Sequence, residues 1–164
     1  MKRLLLLGMC CLASFCCADE PATSPMQGTQ PAQAIKHEIA LKIDPLSKEQ
    51  IDAGLTPEML TQAITDELEL ASIYINPGQS FPMLVLHMRT AQVGLDMATF
   101  FQLCFEENAM LVRTRTMYYA ITWSQNSILT CDPQNLKKEA LATLSILVKS
   151  FIKDYNKAMS TAAS

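Results

Sequence analysis

From Asp132 to about Met159 the chain carries one uninterrupted helical pattern. Its single apolar stripe is Leu136, Ala140, Leu144, Leu147, Val148, Phe151 and Tyr155. Asp132 and Pro133 supply a cap and a first-position residue for the helix. At 1.5 Å per residue it is about 40 Å long, so whatever buries its stripe must extend across a whole small domain. A sheet of similar breadth is the natural cover.

The strands for such a sheet are readable upstream. In "IKHEIALKI" Ile35, His37, Ile39, Leu41 and Ile43 alternate with Lys36, Glu38, Ala40 and Lys42, the pattern of a half-buried strand. "FPMLVLHMRT" is apolar on both faces, as a strand near the middle of a sheet should be. "TFFQLCFEENAMLVR" reads as a long strand with an irregularity at Glu106 to Asn108, where a bulge would restore the register and a tight hairpin would make an additional strand. "TMYYAITWS" follows as the last strand, with "SQNSILT" as a loop.

Between the first two strands, "DPLSKEQIDAG" is a loop with one helical turn from Ser47 to Gly54. Thr56, Pro57 and Glu58 then open a helix with Leu60, Ala63, Ile64, Leu68 and Ala71 on one stripe. The expected fold is α+β in the order βαβββα. It has a mainly antiparallel sheet of four strands, five if a hairpin forms at 106–108, and two helices on one face.

The first residues belong to another category. Lys2 and Arg3 precede an apolar run from Leu4 to Phe15, and Cys16, Cys17 and Ala18 precede the first acid, Asp19. This is the order of a secretory signal, and its run of 12 residues is shorter than the roughly 20 a membrane-spanning helix needs. Cleavage after Ala18 would discard four of the six cysteines. The alternative is a lipoprotein signal with Cys16 or Cys17 as the lipidated residue. Phe15 before Cys16, and a second cysteine before Cys17, depart from the small residue such a signal places there.

The organisation expected is a signal over 1–18, a flexible leader over 19–34, one α+β domain over 35–160 and a disordered tail over 161–164. The leader, "DEPATSPMQGTQPAQA", has Met26 as its only large apolar residue and cannot bury enough surface to order itself. The mature chain has room for one domain. Of 13 basic residues 11 remain once Lys2 and Arg3 are removed, against 16 acidic ones, so a general nucleic-acid footprint is excluded.

The chemistry-bearing residues are few. His37 and His87 stand on different strands; brought together with a carboxylate they could hold a metal, but Glu38 points away from His37, and structural histidines are the expectation. Cys104 and Cys131 are the thiols left after cleavage and form a candidate disulfide, with two buried or half-buried thiols as the alternative. Cys131 also precedes a helix amino terminus, which can lower a thiol pKa. The pairs Asp66-Glu67 and Glu106-Glu107 aim neighbouring carboxylates in different directions, and there is no "GxSxG" elbow or glycine-rich phosphate loop. No catalytic residue and no cofactor is assigned. Lys137, Lys138, Lys149, Lys153 and Lys157 decorate the last helix as a candidate face for an anionic partner or simply as its solvated side. Tyr118, Tyr119 and Trp123 could mark an interaction surface.

In layout, strand, helix, three strands, helix, the chain resembles the small envelope domains of the lipopolysaccharide-assembly lipoprotein and of the amino-terminal part of the TolB translocation protein. "GLTPEMLTQAITDELELASI" before a strand and "ITW" before the last helix carry the match. The resemblance implies a non-catalytic role in the envelope through protein or lipid contacts. The expectation is therefore an exported interaction or assembly module, periplasmic, secreted or lipid-anchored, with a protein partner and a possible membrane-surface contact. The alternatives are a carrier for a lipid or other apolar ligand, for which ten methionines allow adaptable packing, and an enzyme of another class.

Overall fold

The computed structural model describes residues 37–162; the signal and leader readings lie outside them. The elements are β1 (His37–Ile43), α1 (Lys48–Asp52), α2 (Pro57–Leu70), β2 (Ile73–Ile75), β3 (Met83–Val93), β4 (Asp96–Leu111), β5 (Thr116–Cys131), a 3₁₀ turn (Pro133–Asn135) and α3 (Leu136–Ala162). The fold is α+β. One five-stranded sheet runs β2-β1-β3-β4-β5; β1 is parallel to both neighbours, while the long β3, β4 and β5 pair antiparallel.

The fifth strand is not the hairpin considered at 106–108. β4 runs unbroken through those residues, and the extra strand is the three-residue β2. Asn76 N–H donates to the Ile39 carbonyl, and Ala40 N–H to the Pro82 carbonyl. Segment 76–82 thus carries the chain from one edge of β1 to the other. Strand alternation in β1 makes this possible, because Ile39 and Ala40 direct their backbone groups to opposite edges. The irregularity near Glu106 is real but sits in the partner strand. Phe105 pairs with Trp123 and Glu106 with Ile121, leaving Thr122 as the extra residue.

Two further boundaries moved. "SQNSILT" is strand, not loop; β5 is the sheet edge, and its alternate polar side chains face solvent without cost. α3 continues to Ala162 and takes in the start of the expected tail. Its first turn is the 3₁₀ turn, where Asp132 accepts from Gln134 N–H at 2.8 Å.

The helix starts behave as their residues require. Thr56 Oγ1 accepts from Met59 N–H, with Pro57 at the first position and Glu58 in the first turn. Both apolar stripes bury on the same side of the sheet. Leu60, Ile64 and Leu68 of α2 and Leu136, Ala140, Leu144, Leu147, Val148 and Phe151 of α3 meet Ile39, Leu84, Leu86, Phe101, Leu103 and Phe105.

α1 is joined to this core by a buried glutamine. Gln50 Oε1 accepts from Ser47 N–H at 2.7 Å, closing a capping box, and Nε2 donates to Thr90 Oγ1 at 3.0 Å. Thr90 in turn shares a hydrogen bond with the buried Thr99 at 2.9 Å. Gln50→Ala leaves the Ser47 N–H without its partner and removes one of the two hydrogen bonds on Thr90 Oγ1. It is expected to destabilise the domain by about 1–3 kcal/mol, read from urea unfolding. A change below about 0.5 kcal/mol would show that water replaces the side chain.

Candidate interaction surface

The β3–β4 pairing ends at Met83 opposite Glu106, yet β4 and β5 run on together to Leu111 and Thr116. Beyond Glu106 the sheet is therefore reduced to a two-stranded ribbon. An isolated hairpin of this kind gains little stability from its own backbone, so its side chains show what it is for.

Apolar side chains stand on both faces, around Asn108 on one and Glu107 and Thr116 on the other. Met110, Met117, Tyr119 and Ile121 share one face; Leu111, Tyr118 and Ala120 share the other. Val112 at the tip is 85% exposed and Tyr119 73%, values a packing role cannot explain. Arg113 and Arg115 border the tip, and Arg115 takes a left-handed backbone (φ 53°) to close the turn, its N–H donating to the Leu111 carbonyl at 2.8 Å. At the base Phe81 stacks on Tyr119, centroids 4.5 Å apart, linking the ribbon to the helix-free face of the sheet. Exposed apolar side chains grouped in this way make the ribbon the candidate interaction surface.

The sequence signal was present in "MLVRTRTMYYAI", where apolar triplets flank the turn residues Arg113 to Thr116 without a polar alternation. Tyr118 and Tyr119 were read as surface candidates and lie on the ribbon. Trp123 does not; it packs on Phe151 and donates its indole N–H to Asp154 at 3.0 Å.

The remaining candidates are dispersed. Cys104 and Cys131 are free thiols. Cys131 pairs with Met97 on the helix side and Cys104 with Ser124 on the other face. At 3.3 Å per residue the seven positions between Met97 and Cys104 separate the thiols by about 23 Å, so they cannot bridge in this sheet. Nor is Cys131 activated: burial and the charges of Glu139, Asp132 and Asp96 push its thiol above the ordinary value, against the expected helix-terminus effect. Burial also raises Cys104, more than the Ser124 hydrogen bond lowers it.

β1 and β3 are neighbours, but their register puts Ile43 opposite Leu86, leaving His37 and His87 about seven residues apart along the strands, on the order of 23 Å. His37 meets Tyr155 edge-on at 5.8 Å; His87 Nδ1 lies 2.6 Å from Asp44 Oδ2. No group of three or more metal-ligating side chains occurs among the described residues.

Lys137, Lys138, Lys149, Lys153 and Lys157 are all exposed on α3. Lys149 pairs with Glu67 at 3.2 Å, where Ser145 Oγ also donates to the carboxylate at 2.6 Å. The Ser145 hydrogen bond, with Lys149, holds Glu67 below the usual carboxylate range against the opposing effect of burial. The stabilisation is thus present above the unfolded-state value and lost as pH falls through the lowered one. Glu67→Gln is expected to flatten the acid limb of the stability curve, measured by thermal melts from pH 7 to pH 3. An unchanged limb would place the acid sensitivity elsewhere. Cys16 and Cys17 lie outside the described residues.

No protein-family model matches the chain, and no curated protein matches it. Among solved structures it is similar to a minor lipoprotein from Acinetobacter baumannii, at 7% identity over 80% of this chain and 96% of that one, with a TM-score of 0.35. A likeness at that level leaves function to be argued from the residues. No helix among the described residues is long and apolar enough to cross a membrane.

Proposed function

We propose that the chain is an exported, non-catalytic protein of the cell envelope, an interaction or assembly module that docks its β4–β5 ribbon on an apolar partner surface. The observation that carries this reading is the ribbon itself, a pair of strands prolonged past the sheet with Met110, Leu111, Val112, Met117, Tyr118, Tyr119 and Ile121 open to solvent. Aromatic and methionine side chains at such a site are those that dominate protein interfaces, and the two arginines fit its polar rim. The lysine side of α3 is then the solvated back of the domain. A carrier holding an apolar ligand between helices and sheet is less favoured, since that space is filled by the core from Leu60 to Phe151.

Two measurements test the proposal. Intact mass of the protein recovered from its producing cell should correspond to a chain beginning at Asp19, or, in the anchored form, to one beginning at a lipidated Cys16 or Cys17; a mass retaining Met1 to Ala18 contradicts export. Affinity capture from solubilised envelope should yield a defined partner with the wild-type chain and lose it when the ribbon is shortened. Identical capture by both proteins contradicts the assignment of the ribbon.

A further inference from the structure

Where β5 passes the carboxyl-terminal half of α3, a cleft of about 210 Å³ opens at the sheet edge, lined by Phe105, Trp123, Phe151 and Tyr155 with Glu107 and Asp154. The four rings form one connected group. Phe151 lies 5.2 Å from Phe105, 5.3 Å from Trp123 and 5.4 Å from Tyr155, and Phe105 meets Tyr155 edge-on at 5.7 Å. Phe105 and Phe151 are buried, whereas Trp123 and Tyr155 are half-buried, so the cleft is walled by rings that the core has not fully covered.

The carboxylates are the unusual feature. Because the bulge falls in β5, β4 keeps its alternation and Glu107 stands on the same face as Phe105, the apolar side of the sheet. Its charge reaches the cleft: after burial, Glu107 is the second influence raising the Tyr155 hydroxyl. Asp154 is oriented by the Trp123 indole at 3.0 Å. Among the described residues neither carboxylate has an ion-pair partner. Lys153 and Lys157 flank Asp154 in sequence and form no ion pair with it, although Lys157 lines the neighbouring groove together with Asp154, Ala158 and Thr161.

Aromatic walls beside carboxylates that no ion pair engages are the reverse of what an anion or a neutral lipid tail needs. We infer that this cleft is a binding site for a small organic cation, a quaternary ammonium or guanidinium group, held over the rings and neutralised by Glu107 and Asp154. Ring quadrupoles attract such weakly hydrated cations, and the cleft's volume suits a head group rather than a whole drug-sized molecule. The same chemistry serves a choline-type head or an arginine side chain.

Trp123 is the chain's one tryptophan, so its emission reports on this cleft without interference. The domain is titrated with choline and, separately, with N-acetylarginine amide, at ionic strength matched with NaCl. The neutral isostere 3,3-dimethylbutan-1-ol serves as control. A saturable change with either cation and none with the isostere is expected, and the tighter cation names the source, a head group or a side chain. Glu107→Gln, at a half-buried position the fold does not need charged, should weaken binding about fivefold or more. Its unfolding midpoint checks that the domain is intact, and the indole N–H resonance gives a second reading of occupancy. No saturable change, an equal response to the isostere, or undiminished binding by Glu107→Gln would each overturn the site.

Discussion

Phe151→Ala is expected to destabilise the domain by about 3–5 kcal/mol, the largest loss any single truncation here should produce. The ring is 1% exposed and is the one side chain that touches Phe105, Trp123 and Tyr155 together, so removing it opens a void between α3 and the two longest strands. Against a total stability of about 5–15 kcal/mol for a domain of this kind, the variant should be marginal at 37 °C. Urea unfolding followed by far-ultraviolet circular dichroism checks the magnitude. A loss under about 1.5 kcal/mol would show that α3 repacks without its central anchor and would contradict the account of the core.

The second large effect separates folding from function. Replacing residues 109–118 by Asn-Gly joins Asn108 to Tyr119, a pair already opposite in the ladder, through a two-residue turn suited to a hairpin. The rest of the sheet is untouched, because β3 stops pairing at Glu106, and the Phe81–Tyr119 stack is kept. The shortened chain is therefore expected to stay folded, with stability within about 1 kcal/mol of the parent, since exposed residues away from the core contribute little. Partner capture should fall to background, because most of the exposed apolar side chains are gone. Loss of folding would mean that the ribbon is structural; retained capture would move the docking surface elsewhere.

Much of the layer structure was legible from periodicity. The stripes of α2 and α3 named every helix residue now buried against the sheet, because a one-sided apolar pattern has one physical outcome. Caps at Ser47, Thr56 and Asp132 were equally readable, since each satisfies orphan backbone donors locally. What escaped was non-local. β2 is three residues long and exists only because β1 offers a free edge, and no window around "IYI" contains that fact. The bulge at Thr122 was assigned to the wrong strand because an acid at position 107 looked intolerable on an apolar face. It is tolerated there because the cleft leaves that face open to solvent.

The candidate site divides the same way. Tyr118 and Tyr119 were noticed as residues, but their meaning depends on where β3 ends, which is a matter of register. The Cys104–Cys131 bridge and the His37–His87 pair failed on register too. Neither pairing was more than a candidate beside structural histidines and free thiols, and offsets of about seven residues keep both pairs apart.

The central claim, that the projecting ribbon is the surface the protein uses, is tested most directly by placing a photo-activated cross-linking side chain at Tyr119 in the producing cell. Ile146, 66% exposed on α3 and remote from the ribbon in sequence, is the control position. A discrete cross-linked species from position 119 and none from position 146 is the result this account predicts. A species from position 146 alone, or from neither, would contradict it.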